Sequence, residues 1–227
     1  DLDFETFAFS DTYSSWATTR SAWVSFVKEL AAKLHVRGKK LSVTVPPMYN
    51  SAQNGSSGYW VYDYKNIALS ADRVRVMAYD YAWDAPGPIG GPLSWVKALT
   101  SYSLSVIPAE KVSIGTPTYG RDWVVKTSGK GCPKLYTKEY DSSKTFTNIP
   151  ANSWVRDTAS GEKHAQYIIK YNKGACVVTR SVWMPDAYTA GVRVATLKKI
   201  NPKVGTALWT VGGEAVGTWT AMAKAYS

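Results

Sequence analysis

The sequence predicts an α/β fold of strand–helix units around a parallel sheet. Three observations lead there. Short runs of alternating hydrophobicity take turns with longer runs spaced i, i+3, i+4, over residues 1–123 and again over 181–227. Polar and aromatic residues gather at the C-terminal ends of the expected strands: Asp3 and Glu5, Tyr79 and Asp80, Tyr119 and Arg121, and Trp209. In parallel strand–helix barrels that rim carries the chemistry. Residues 124–180 break the alternation and read as an inserted subdomain.

The chain opens with DLDFETF. In an extended strand residues i, i+2 and i+4 share a face, so Asp1, Asp3 and Glu5 converge while Leu2, Phe4 and Phe7 pack. Three like charges this close raise the proton affinity of one carboxyl, which is what a general acid needs. The bare pattern also fits a solvated acidic edge or a cation site. Residues 21–37 form a helix through Trp23, Phe26, Val27, Leu30 and Leu34, stopped by Gly38. Residues 41–45 form a strand ended by Pro46 and Pro47. A loop rich in Asn, Gly and Ser at 50–58 leads to a helix at about 60–70. A strand over 73–81, a helix over 92–106 and a strand over 111–120 follow. A helix over 190–200, a strand over 204–211 and a helix over 218–226 close the chain. That makes about five strand–helix units, against eight in a closed barrel.

Within 124–180, SWVRD, AQYIIKY and ACVVTRSVW are strand-like runs separated by Gly and charged turns, which reads as a small α+β insertion. Cys132 and Cys176, the only cysteines, lie near its two ends. They could form one disulfide in an oxidising compartment or stay as two buried thiols.

Composition narrows the function. With 45% hydrophobic and 19% charged residues the 227-residue chain is globular. No apolar run approaches the roughly 20 residues of a membrane span, so no membrane insertion is expected. A net charge of +10 favours polyanionic surroundings: nucleic acid, anionic lipid or bacterial wall polymers. A nucleic-acid role finds little support. Lys126, Lys130, Lys134 and Lys138 are interrupted by Gly129, Gly131 and Pro133, so they build no basic helical face and read as solvated surface. APGPIGGP (85–92) and TVGGEAVG (210–217) lack the Lys-Ser/Thr of a phosphate loop. His35 and His164 are far apart and there is no CxxC, so no zinc site is expected; His35 reads as a surface or helix-end residue.

Four motifs in order carry a resemblance. DLDFE (1–5), MAYDY (77–81), PTYGRDW (117–123) and ALWTVGGE (207–214) resemble strand motifs four, six, seven and eight of glycoside hydrolase family 18, the chitinase-like (β/α)8 TIM barrels. The stretch VWMPDAYTAGVRVATLKKIN is similar to bacterial members that act on cell-wall or spore peptidoglycan. The resemblance implies that strands four to eight are present here and that strands one to three lie upstream. An open sheet of that kind exposes an edge, so residues 1–227 alone are expected not to form a stable monomer, with an upstream fragment completing the barrel.

The resemblance also implies a reaction: cleavage of β-1,4 linkages in N-acetylglucosamine polymers, peptidoglycan or chitin, by substrate-assisted retention, with no metal and no cofactor. Glu5 would protonate the glycosidic oxygen. Asp3 would orient the 2-acetamido group, with Asp1 behind it, and Tyr79 would donate to the acetamido oxygen. Met77 and Asp80 would shape the subsite, Trp209 would floor it, and Tyr119 and Arg121 would contact the sugar. Trp209 also suits a core position, Asp80 a strand-end cap, and Arg121 a surface ion pair with Asp122. Thr6 stands where many chitinases carry Tyr, which alters the surroundings of the acid. The alternative is a non-catalytic, lectin-like carbohydrate-binding protein on the same scaffold; retention of Glu5 argues against it. The substrate class implies an extracellular or wall-associated location.

Overall fold

The computed structural model describes residues 1–54 and 58–226. Residues 55–57 of the expected 50–58 loop lie outside the described residues. In chain order the elements are β1 (Leu2–Asp3), α1 (Thr6–Ser10), α2 (Trp16–His35), β2 (Ser42–Val45), α3 (Tyr64–Ile67), β3 (Arg73–Val76), α4 (Leu93–Val106) and β4 (Val112–Pro117). Next come β5 (Tyr119–Gly129), β6 (Lys138–Asp141), β7 (Val155–Arg156), β8 (Lys163–Tyr171) and β9 (Cys176–Met184). The chain ends with α5 (Ala187–Ile200), β10 (Gly205–Trp209) and α6 (Thr218–Tyr226). The strands make two five-stranded sheets, ordered β1-β2-β3-β4-β10 and β6-β5-β9-β8-β7.

The chain divides into two compact units: residues 1–78, 97–115 and 197–207, and residues 79–96, 116–196 and 208–227. In the first unit, β1–β2, β2–β3 and β3–β4 pair in parallel. Val43, Val74 and Val112 form one cross-strand row, and Val45, Val76 and Ile114 another. All six are buried. β-Branched side chains on the buried face, with Arg73 exposed and Arg75 half-buried on the other, explain the alternating signal of β3. Helix α2 begins at Trp16, five residues before the expected start. Thr18 and Thr19 have weak helix propensity, yet burial of Trp16 extends the helix over them. Its buried side is Trp16, Trp23, Val27 and Ala31, whereas Phe26 is exposed. His35, in the last turn, pairs through Nε2 with Asp72 Oδ2 at 2.8 Å. The helix expected at 60–70 is two short pieces, a 3-10 turn at Trp60–Tyr62 and α3, divided by Asp63 at φ 43°. The Asp63 carboxylate caps α3 at Asn66 N and accepts from Arg20 Nε at 2.8 Å.

In the second unit, the segment expected as an α+β insertion at 124–180 contributes to an antiparallel sheet spanning Tyr119–Met184, with 3-10 turns and no α-helix among the described residues. β8 and β9 pair over nine residues, as their period-two pattern demands. The strand expected over 111–120 is two strands. Pro117 ends β4, and β5 starts at Tyr119. Gly120 lets β5 approach β9, because a Cβ there would lie 2.2 Å from the Trp183 carbonyl oxygen. Lys126 and Lys138 sit on strands β5 and β6 and are exposed.

Candidate active site

In the first unit, β1 ends at Asp3, and Glu5 takes the helical region (φ −102°, ψ −35°) at the N-terminus of α1. The period-two face therefore carries Asp1 and Asp3, while a helical turn sets Glu5. The Asp1 carboxylate is gripped from β2: Ser42 Oγ donates to Oδ1 at 2.5 Å and Thr44 Oγ1 to Oδ2 at 2.8 Å. Arg75 Nη1 of β3 lies 3.8 Å from Oδ2. Asp3 is exposed and Glu5 half-buried. The buried Tyr62 fixes the backbone between them, its hydroxyl donating to the Phe4 carbonyl at 2.6 Å. Burial first, then the Glu5 and Asp3 carboxylates, pushes that hydroxyl far above its usual range, so it stays a donor. Phe4 stacks on Phe26, and Phe7 packs on Trp23 and Tyr62. Met77 follows β3 directly, with its N–H donating to Val45 O at 2.9 Å.

In the second unit, Tyr79, Asp80, Tyr119 and Arg121 come together. Tyr119 Oη donates to Asp80 Oδ1 at 2.5 Å, and Arg121 Nη2 lies 2.7 Å from the same oxygen. Arg121 also donates through Nε to Glu139 at 3.2 Å and through Nη1 to the Ala82 carbonyl at 3.3 Å, with its guanidinium 4.6 Å from the Trp83 ring centre. The rings of Tyr79 and Tyr119 meet edge to face. Burial, then Asp80, holds the Tyr119 proton firmly in place. Tyr119 and Arg121 are only 7% and 8% exposed. Their polar atoms are turned to Asp80, and both bond its Oδ1. Asp80 is thus more than a strand-end cap. Arg121 also does not pair with Asp122, because neighbours on a strand face opposite sides. Asp122 instead accepts from Arg180 Nε at 2.8 Å and from Tyr167 Oη at 2.6 Å.

Trp209 ends β10 and is 51% exposed, so it is not a core residue. Thr118 N–H donates to its carbonyl at 2.8 Å, and the Trp209–Thr210 peptide is cis. Cys132 and Cys176 are bonded, S–S 2.11 Å.

Sequence reasoning did not single out Ser42, Thr44, Arg75, Tyr62, Trp83 or Glu139. One signal was available for the first two. In SVTV the valines fill one face of a strand, and hydroxyls on its other face need partners if that side is also covered. Glu139 reaches Arg121 by cross-strand register from β6, which no local pattern encodes. Among the described residues no group of three or more His, Cys, Asp and Glu could hold a metal, and no helix is long and apolar enough to cross a membrane.

The family model for glycosyl hydrolases family 18 matches residues 1–214. A cortical fragment-lytic enzyme of Bacillus anthracis is 32% identical over 221 residues, covering 93% of this chain and 45% of that protein. The solved Bacillus cereus spore cortex-lytic enzyme SleL aligns with TM-score 0.75 and 25% identity, over 99% of this chain and 48% of its own. A class V chitinase from Pseudomonas fluorescens Pf-5 aligns with TM-score 0.75 and 27% identity, over 100% of this chain and 66% of its own. The chain spans about half the length of the curated relatives it matches.

Proposed function

The chain belongs to glycosyl hydrolases family 18, and from that premise we propose that it carries the catalytic carboxylates of a glycosidase that cuts β-1,4 linkages in N-acetylglucosamine-containing polymers, peptidoglycan or chitin. The observation that carries this reading is the Asp1 carboxylate held by Ser42 and Thr44, with Asp3 and Glu5 following within four residues. Hydrogen bonds to both oxygens fix the orientation of the Asp1 carboxylate.

In the proposed mechanism Glu5 protonates the leaving glycosidic oxygen. Asp3 orients the substrate's 2-acetamido group, whose carbonyl oxygen attacks the anomeric carbon. The covalent intermediate therefore forms within the sugar rather than on the protein. Water then opens the oxazolinium ring, with Glu5 acting as base. Tyr79 donates to the acetamido oxygen, Met77 and Asp80 bound the subsite, and Trp209 presents an aromatic face to the sugar. The net charge of +10 suits an anionic wall polymer, and the spore cortex-lytic relatives support peptidoglycan as the first substrate to try.

The test is hydrolysis of N-acetylglucosamine oligomers and purified peptidoglycan by the full-length protein, with Glu5→Gln alongside. Loss of an acid–base group is expected to lower kcat by about 10²–10⁴-fold. A wild-type protein that binds oligosaccharides without cleaving them would replace the glycosidase reading with the lectin-like one.

A further inference from the structure

The second unit contains a buried carboxylate that the proposed reaction does not use. Glu162 lies in the turn before β8 and has no solvent exposure. Its two oxygens accept backbone N–H groups from a different segment: Ile89 N at 2.9 Å and Gly90 N at 2.6 Å. Arg193 of α5, also buried, donates through Nη1 to the Gly90 carbonyl at 2.5 Å. Both sides of one peptide segment are thus held by side chains of opposite charge. A Cβ at position 90 would lie 2.6 Å from Arg193 Nη1 and 3.1 Å from Glu162 Oε1, so any other residue there would displace the two clamping side chains.

The grip is anchored at its base. Asp157 N–H donates to the Glu162 carbonyl at 2.8 Å, and Thr189 Oγ1 and Arg156 Nη1 donate to the Gly161 carbonyl at 2.8 and 2.9 Å. It also reaches the candidate site. Tyr81 N–H donates to the Ile89 carbonyl at 3.0 Å, closing residues 81–89 into a loop. The other arm of that loop carries the Ala82 carbonyl and the Trp83 ring that hold Arg121, directly after Tyr79 and Asp80.

We propose that Glu162 is a positioning residue: with Arg193 it clamps the loop 81–91 and so fixes Tyr79, Asp80 and the cradle of Arg121. The role in catalysis rests on the glycosidase reading; the clamp itself does not. Burial pushes Glu162 up to about 7, against the lowering effects of the Gly90 and Ile89 amides and of Arg193. Arg193 from α5 and Asp157 from the same turn are the charged groups acting on it. Because Glu162 holds its proton more tightly in the closed clamp than in an opened, solvated loop, opening becomes easier as pH rises towards about 7 and levels off above it.

The experiment is amide hydrogen exchange of the full-length protein between pH 5.5 and 8.5, corrected for intrinsic rates, on wild type, Glu162→Gln and Glu162→Asp. Kinetics on an N-acetylglucosamine oligomer run in parallel. Protection at residues 81–91 should fall between pH 5.5 and about 7 in the wild type, and be lower and flat in Glu162→Gln. Glu162→Asp keeps the charge beside Arg193 but is too short to reach both amides, so it should fold and show partial loss. With the loop loosened, kcat should fall about tenfold or more while KM changes little, since small misplacements near the chemistry cost that much. Unchanged protection at 81–91 in both variants overturns the clamp. Lost protection with unchanged kcat overturns the positioning role. If the wild type hydrolyses nothing, the glycosidase reading fails, and the exchange data still decide the clamp.

Discussion

Asp80 has φ 57°, a left-handed conformation that a residue with a Cβ adopts only at a cost. Tyr119 and Arg121 both bond its Oδ1 and hold that shape in place. Arg121→Lys keeps the charge but loses the planar fork that spans Asp80, Glu139 and the Trp83 ring. We expect kcat/KM on an N-acetylglucosamine oligomer to fall about tenfold in Arg121→Lys, and less in Tyr119→Phe, which gives up one hydrogen bond worth about 1 kcal/mol. Steady-state kinetics on the two variants check that order. The place of Asp80 shortly after a valine-rich strand was legible in the sequence, although β3 stops at Val76 rather than running to residue 81. The burial of Tyr119 and Arg121 was not legible, since sequence places a side chain on a strand without saying what covers it.

At the scale of elements, β5 presents alternate residues to two different environments. Arg121 goes to Asp80, and Asp122 goes to the almost fully buried Arg180. Arg180 Nη2 also donates to the Asp122 and Tyr136 carbonyls, at 2.6 and 3.1 Å. Removing one partner of a buried pair strands the other. Arg180→Met should therefore destabilise the protein by about 3–5 kcal/mol, and adding Asp122→Leu should recover most of that. Urea denaturation of the single and double variants measures both steps. Burial is the main influence on the Asp122 carboxyl and pushes it up despite Tyr167 and Arg180, which agrees with an apolar double replacement being tolerated. Element identity could be read well where periodicity was strong, as in α4, α6, β2, β8 and β9. It failed where one residue's geometry decided the outcome: Asp63 split a helix at φ 43°, and Pro117 split a strand. The start of α2 was missed because burial of Trp16 outweighed the weak propensity of two threonines.

For the whole molecule, the alternation of strands and helices announced a parallel sheet. Its order, β1-β2-β3-β4-β10, follows the chain except where the antiparallel sheet intervenes between β4 and β10. The strands of that intervening sheet were legible, but their partners were not, because register depends on contacts far apart in sequence. The Cys132–Cys176 bond ties residues 44 apart, joining the segment after β5 to the first residue of β9. On a chain-entropy account a loop of this length is worth about 4 kcal/mol, and measured values run about 2–4. Reduction with a phosphine should lower the thermal midpoint, and a Cys132→Ser/Cys176→Ala variant should match the reduced protein. Calorimetry with and without reductant reads this directly.

The hold of the Glu162 turn on the loop also sets the terms on which parts of this chain can be exchanged. Ile89 and Gly90 donate to Glu162, and Leu93 N–H donates to the Ala159 carbonyl at 2.8 Å, so three hydrogen bonds join the 89–93 segment to the turn ahead of β8. The antiparallel sheet looks like a detachable module in the sequence, but it is not one. A chimera that imports a foreign 124–180 segment leaves those three donors behind, with Arg193 still facing Gly90. A workable graft has to move residues 81–93, the 124–180 segment and the Arg193 turn of α5 as one piece.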